Sequence, residues 1–182
     1  MVSLDHNGRL CISSSPLSSL PLEIKSLKKI KEGHIIELSP ARLQLTKNIS
    51  DHIFKNSGAA LIIDYGEIEG SGDTFQAMSK HQFCDPLKNP GTSDLTSHVD
   101  FSTLIKSAHQ AGCYAAILTQ GEFLIKNGLI QRADKLCEKK SKAFRKKTID
   151  EIERLAAPNQ MGQLFKTLCI SNPHSTMFPF FY

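Results

Sequence analysis

The run Gly58-Ala-Ala-Leu-Ile-Ile-Asp64 constrains the fold more than any other stretch of the chain. It is continuously apolar and bounded by a glycine and an acid, the pattern of a strand buried on both faces in a parallel sheet. A helix is expected just before it. Gly33-His-Ile-Ile-Glu-Leu38 reads as a short strand, and Ser39-Pro40 as the helix start that follows. Serine suits the N-cap, and proline suits the first helical position, where a missing N–H leaves no bond unmade. Ala41, Leu45, Ile49 and Ile53 recur at intervals of four, giving that helix one apolar face. Gly58 marks its end.

The alternation continues downstream. Ser97-His-Val-Asp100 has the spacing of a capping box, with Asp in place of Glu or Gln. The helix after it presents Phe101, Leu104, Ile105 and Ala108 on one face and stops at Gly112. Tyr114-Ala-Ala-Ile-Leu118 reads as a strand, and residues from about Ile130 to Ala157 as one long helix closed by Pro158. Leu164 to Ile170 is the last strand, and the tail Met177-Phe-Pro-Phe-Phe-Tyr182 is expected to pack as an edge or cap. Alternating strands and helices predict an α/β sheet, mostly parallel, with helices on its faces. Four or five strands are few for a doubly wound domain.

One segment breaks the pattern. Residues 65–97 hold Gly66, Gly70, Gly72, Pro86, Pro90 and Gly91 and show no sustained period. Loops of that length in compact domains are usually functional or disordered. Phe75, Met78, Phe83, Leu87 and Leu95 run through it, which predicts an ordered loop.

Length and composition exclude several classes. At 182 residues, with 40% hydrophobic and 22% charged residues, the chain suits one globular domain. No stretch approaches the ~20 apolar residues of a membrane-spanning helix. The N-terminus shows no export or transit pattern. Cys11, Cys84, Cys113, Cys137 and Cys169 are scattered, with no C-x-x-C pair, which argues against a disulfide framework or zinc site and for a reducing compartment. Cys113 and Cys169 lie in apolar runs and read as small buried hydrophobes. The net charge of +4 is mild. Its excess is concentrated from Arg132 to Lys147, a solvated helix face on the simplest reading. No aromatic platform interleaves with it, so nucleic-acid binding ranks low.

Chemistry-bearing residues gather around one strand end. In open α/β sheets, ligands bind beyond the carboxyl ends of the strands. Asp64 stands at such an end, either as a turn cap or as a site residue. Asp73, Gln76, His81, Asp85, Asp94, Thr96, His98 and Asp100 follow in the long loop, a density suited to general-base or substrate-orienting work. G-x-S-x-G, H-E-x-x-H, P-loop and G-x-G-x-x-G motifs are all missing from the 182 residues. The residues by themselves name no reaction.

A family resemblance goes further. Ala59-Ala-Leu-Ile-Ile-Asp-Tyr-Gly66 with Gly72-Asp-Thr-Phe-Gln-Ala77 is similar to the MidA-like family of class I methyltransferases. So are His81 with Asp85-Pro-Leu87, Pro90-Gly91, Asp94-Leu-Thr-Ser-His-Val-Asp-Phe101, Thr119-Gln-Gly-Glu-Phe-Leu124 and Met161-Gly-Gln-Leu-Phe-Lys166. These blocks appear in family order and cover most of the chain from Gly33 onward.

The resemblance implies the C-terminal half of a Rossmann-like methyltransferase sheet, with residues 33–182 carrying it and residues 1–32 forming a hairpin or insert. It implies S-adenosylmethionine as methyl donor and protein arginine as acceptor, linked to assembly of respiratory complex I through a core subunit. Asp64, Tyr65, His81, Asp94, His98 and Asp100 are the implied catalytic or substrate-contacting residues, with the loop from Asp64 to Asp100 facing the cleft. The family holds its cofactor in an E-x-G-x-G-x-G loop that these residues do not contain, so no cofactor-binding residue is assigned here. Met1 to Leu10 resembles an internal family segment leading into a hairpin. A sheet half alone would leave an apolar strand edge unpaired, which predicts marginal stability, oligomerisation or complementation by an N-terminal fragment. A non-catalytic interaction module is the alternative reading. Bacterial cytoplasm is the simpler compartment, with the mitochondrial matrix as the alternative.

Overall fold

The computed structural model describes residues 2–14, 16, 32–70, 72–175 and 180. In chain order, β1 (Val2–Leu4) and β2 (Leu10–Ile12) are followed by α1 (Pro40–Asn56) and β3 (Ala59–Glu67). Then come β4 (Gln76–Ser79), β5 (Gln82–Cys84), β6 (Asp94–Thr96), β7 (Val99–Asp100) and α2 (Phe101–Gln110). After β8 (Tyr114–Thr119) the chain forms α3 (Gln120–Lys126), α4 (Leu129–Cys137), α5 (Lys142–Ala156) and α6 (Met161–Leu164), and returns in β9 (Phe165–Ser171). These elements divide into two compact units, Met1–Glu37 with Ser71–Ser97, and Leu38–Gly70 with His98–Tyr182.

The larger unit holds an α/β sheet of order β7-β3-β9-β8. β3, β7 and β8 point the same way, but β9 lies between β3 and β8 and runs against both. The expectation of a mostly parallel sheet therefore holds for strand direction and fails for the ladders, the two longest of which are antiparallel. The cause is the path of the chain. Lys166 pairs with Thr119, and Phe165 with Tyr65, so β9 starts at the carboxyl ends of β8 and β3. The α3–α6 excursion brings the chain back to the end it left, and β9 can only run backward.

One sheet face is closed by α1 and α2. Ile53, Val99, Phe101, Leu104, Ala108, Leu168 and Ile170 form its core, with Ala60, Ile62 and Ile117 packed against them. The α2 face follows its expected spacing. That of α1 does not: Thr46, Ser50 and Ile53 are buried, while Leu45 is 61% exposed and Ala41 is exposed. The hydroxyls survive burial because Thr46 Oγ1 donates to the Arg42 carbonyl at 2.9 Å and Ser50 Oγ to that of Thr46 at 2.8 Å.

β3 is also less buried than its apolar run suggests. Leu61 and Ile63, which point away from the core, are 48% and 52% exposed. Sequence shows that a strand is apolar; what covers each face depends on its neighbours. From Ala59 to Tyr65 the outer edge of β3 has no ladder among the described residues, since β7 pairs only with Gly66 and Glu67.

Two helix boundaries differ from expectation. The helix starting near residue 100 is capped by Asp100, not Ser97: the Asp100 carboxylate accepts from the Ser102 N–H at 3.0 Å. The long helix from Ile130 is two helices, α4 and α5, separated by a turn in which Lys139 takes φ +55°. The last strand begins one residue later than predicted. Most of the C-terminal tail lies outside the described residues, and Phe180 packs on Phe123 with ring centroids 5.5 Å apart.

In the smaller unit, β1 and β2 form a hairpin whose turn is tied by Asp5, accepting from the N–H groups of Asn7 and Arg9 at 2.8 Å each. β4, β5 and β6 form an antiparallel sheet of order β5-β4-β6 inside the stretch read as a loop. Strands of three or four residues are too short to show a period. The segment 34–38 is not a strand. The Ile35 carbonyl accepts from Gly72 N–H at 3.2 Å and the Glu37 carboxylate from Thr74 N–H at 3.0 Å, so the segment is held by isolated bonds to residues 72–74 and not by a ladder.

Candidate active site

The carboxyl end of β3 is built by three side chains from distant parts of the sequence. Tyr65 meets His98 edge-on, ring centroids 5.6 Å apart, and meets Phe165 at the same separation. Gly66 then pairs with Val99 across the β3–β7 ladder. A Cβ on Gly66 would lie 2.2 Å from the Val99 carbonyl oxygen, so only glycine lets the two backbones approach.

Beneath this corner sits Lys166. Its side chain is only 3% exposed, yet its ammonium is satisfied: Nζ donates to the carbonyls of Gly66 at 2.8 Å, Gln163 at 2.7 Å and Leu164 at 3.4 Å. The Glu67 carboxylate lies 3.6 Å away and is mostly exposed, so it adds a screened attraction. Three carbonyls are what a buried ammonium needs for its three N–H groups. Lys166 thereby ties the end of β3 to α6.

The predicted site residues fall into two groups. Asp64, Tyr65, His98 and Asp100 belong to the larger unit and lie near this strand end, where, of the four, the Tyr65 and His98 side chains are in contact. Asp64 is exposed, and its carboxylate accepts from the Tyr65 N–H at 2.8 Å. The His98 carbonyl accepts a long 3.5 Å bond from the Arg42 guanidinium. Asp100 is engaged as the α2 cap, holding the Ser102 N–H and hydroxyl. His81 and Asp94 belong to the smaller unit. His81 follows Lys80 in a two-residue hairpin turn, both at positive φ, which is the backbone of a type I′ turn. Asp94 is exposed on β6, opposite Met78.

Lys166 and Phe165 were missed as site residues. The signal was present: a lysine one residue into an otherwise apolar strand has to find acceptors or reach water.

S-adenosylmethionine, the donor implied by the resemblance, calls for open backbone N–H groups at a strand-to-helix turn. The described turns do not offer them. Asp100 caps α2, and Thr119 with Glu122 forms a reciprocal capping box on α3, whose hydrogen bonds hold the Glu122 carboxyl below its ordinary range. The turn into α1 carries Pro40 as its first helical residue. These residues do not fit as the donor's cradle, and no methyl-transfer step is assigned to them.

The larger unit is thus a four-stranded α/β sheet with an aromatic corner at the carboxyl end of β3. Residues 1–119 match the family described as "Putative S-adenosyl-L-methionine-dependent methyltransferase", and the chain belongs to that family. Its relatives include the mitochondrial protein arginine methyltransferase NDUFAF7 of Xenopus tropicalis, 37% identical over 72% of this chain and 31% of the relative. The Homo sapiens protein of the same name is 31% identical over 78% of this chain and 32% of its own length. The chain thus spans about a third of the length of the curated relatives it matches. Among solved structures, an uncharacterized Burkholderia thailandensis protein superposes with a TM-score of 0.83 at 24% identity, covering 96% of this chain and 49% of that one. A second protein from the same organism, bound to S-adenosyl-homocysteine, gives 0.81 at 21% identity, over 96% and 47%. At these identities the two structures establish the fold. Among the described residues no helix is long and apolar enough to cross a membrane.

Proposed function

We propose that these residues form the substrate-facing part of an S-adenosylmethionine-dependent protein arginine methyltransferase, with the donor held by residues outside the 182. The observation that carries this reading is the corner where Tyr65 meets His98 at the carboxyl end of β3. In that role exposed Asp64 draws a guanidinium toward the strand end by its charge, the Tyr65–His98 pair offers it a ring face, and the imidazole or a carboxylate takes its proton. Asp100 acts through α2, fixing the backbone that carries His98. His81 and Asp94, within the smaller unit, are proposed as substrate contacts by the resemblance alone. By the resemblance, the substrate is a core subunit of respiratory complex I. The relatives' mitochondrial names favour the matrix over the bacterial cytoplasm.

Calorimetry tests the division of labour. The 182-residue chain should give no heat with S-adenosylmethionine. The same chain joined to the segment that precedes the matched region in the Xenopus tropicalis relative should bind it. Saturable binding by the chain alone would refute the proposal that the donor site lies elsewhere. If the joined protein binds the donor but never modifies arginine, the interaction-module reading replaces the enzymatic one.

A further inference from the structure

α5 is the most exposed helix of the larger unit, with no buried residue along its fifteen positions. Against α4 it leaves a groove of about 500 Å³, lined on its apolar side by Ile130, Ala133, Cys137, Ile149 and Ile152. Ile130 is 45% exposed and Ile149 54%, so the groove is open along its length. Its charged lining is Arg145 and Glu153 from α5 with Asp134 from α4 and Glu138 at the α4 C-cap, and neither Arg145 nor Glu153 makes an ion pair with any described residue. An exposed apolar strip with a charged rim marks an interaction surface.

The charge pattern along α5 identifies the occupant. Lys142, Arg145, Lys146 and Lys147 occupy the first half, while Asp150, Glu151 and Glu153 follow in the second, where Arg154 is the one basic residue. Ile149 is at the exact middle of the helix, and Arg145 and Glu153 lie four residues to either side of it. Such a helix is complementary to its own reverse. Turned about a two-fold axis through Ile149, a second copy sets its Glu153 against Arg145 and its Arg145 against Glu153. The two isoleucines meet on the axis. Arg145, Ile149 and Glu153 are exposed and follow one another at spacings of four, a ridge of the kind along which antiparallel helices pack. A parallel arrangement would set lysine against lysine.

We propose that this chain self-associates as a two-fold dimer through antiparallel pairing of α5, with each copy's Ile149 covering the other's groove. An isologous contact needs one self-complementary patch, which α5 supplies. The helix is only about 22 Å long, so the contact belongs to the small, weak class, with a dissociation constant on the order of micromolar. The dimer does not depend on the methyltransferase reading and stands or falls separately from it.

Sedimentation of the full 182-residue chain across concentration tests the dimer. The wild type should pass from monomer to dimer. Arg145→Glu and Glu153→Arg should each weaken association by roughly tenfold or more, and the double swap R145E/E153R should restore it. Arg145→Gln and Glu153→Gln should act in the same direction with smaller effect, which covers the case of a reversal that disturbs folding; thermal melts confirm that each variant is folded. A monomer at all concentrations would overturn the proposal. So would association indifferent to both single swaps, or single swaps that the double swap does not rescue.

Discussion

The ammonium of Lys166 donates to the carbonyl oxygen of Gly66 at 2.8 Å, joining residues one hundred positions apart at the end of β3. Two further carbonyls complete its shell, so replacing Lys166 by Met would leave three acceptors without a donor in a buried site. Leaving buried groups unpaired costs about 1–3 kcal/mol each at most. Lys166→Met is expected to lower unfolding stability by about 3 kcal/mol in urea titration, and Lys166→Gln by less. A change under about 0.5 kcal/mol would mean that solvent satisfies these carbonyls.

Gly66→Ala should be as damaging for a different reason. Its Cβ would press on the Val99 backbone at 2.2 Å, and backbone cannot swing aside as a side-chain tip can. β7 must move, taking His98 from Tyr65. Near-ultraviolet circular dichroism should lose tyrosine signal along with stability, whereas Ala at the open position Gly91, itself at φ +83°, should leave that signal intact.

Much of this corner was legible in sequence and part was not. Asp64-Tyr65-Gly66 closes an apolar run, which places it at a strand end on pattern alone. The α2 face at Phe101, Leu104 and Ala108 was legible for the same reason, because tertiary contacts reinforce its period. Lys166 could be seen as anomalous, but its partners could not, since register between strands a hundred residues apart leaves no local trace. The α4–α5 break rests on a lysine at positive φ, a conformation its side chain does not advertise. Exposure of Leu61 and Ile63 depends on what lies over β3, which its own residues do not encode.

Thr167 Oγ1 is buried with no hydrogen-bond partner among the described residues, between Ile63 and Leu118 on neighbouring strands. Valine has nearly its shape and nothing to satisfy. Thr167→Val is therefore expected to stabilise the chain by about 1 kcal/mol, seen as a higher urea midpoint at unchanged slope. Destabilisation would reveal a partner for the hydroxyl.

Burial pushes the Cys169 thiol up to about 11 from an ordinary value near 9.0. Cys113 moves in the same direction, through burial and then the nearby Asp51 charge. Both folded values exceed the unfolded one. Their contribution is thus complete below pH 9 and is lost as pH climbs from 9 through the folded values. Cys169→Ala should flatten the stability profile over that alkaline range while lowering it at neutral pH. Alkylation at pH 8 should label Cys11, Cys84 and Cys137 well before Cys113 and Cys169, which are buried. Rapid labelling of all five thiols would contradict the packing of β9.

Methyl transfer tests the central claim most directly. Mass spectrometry of an arginine-bearing complex I subunit should show no methylation by the 182-residue chain with S-adenosylmethionine. Methylation should appear once the chain is joined to the preceding segment of the Xenopus tropicalis relative, and should fall at least about tenfold with His98→Ala or Tyr65→Ala. Methylation by the chain alone, or activity in the joined protein untouched by both substitutions, would contradict the assignment of this corner as the substrate-facing site.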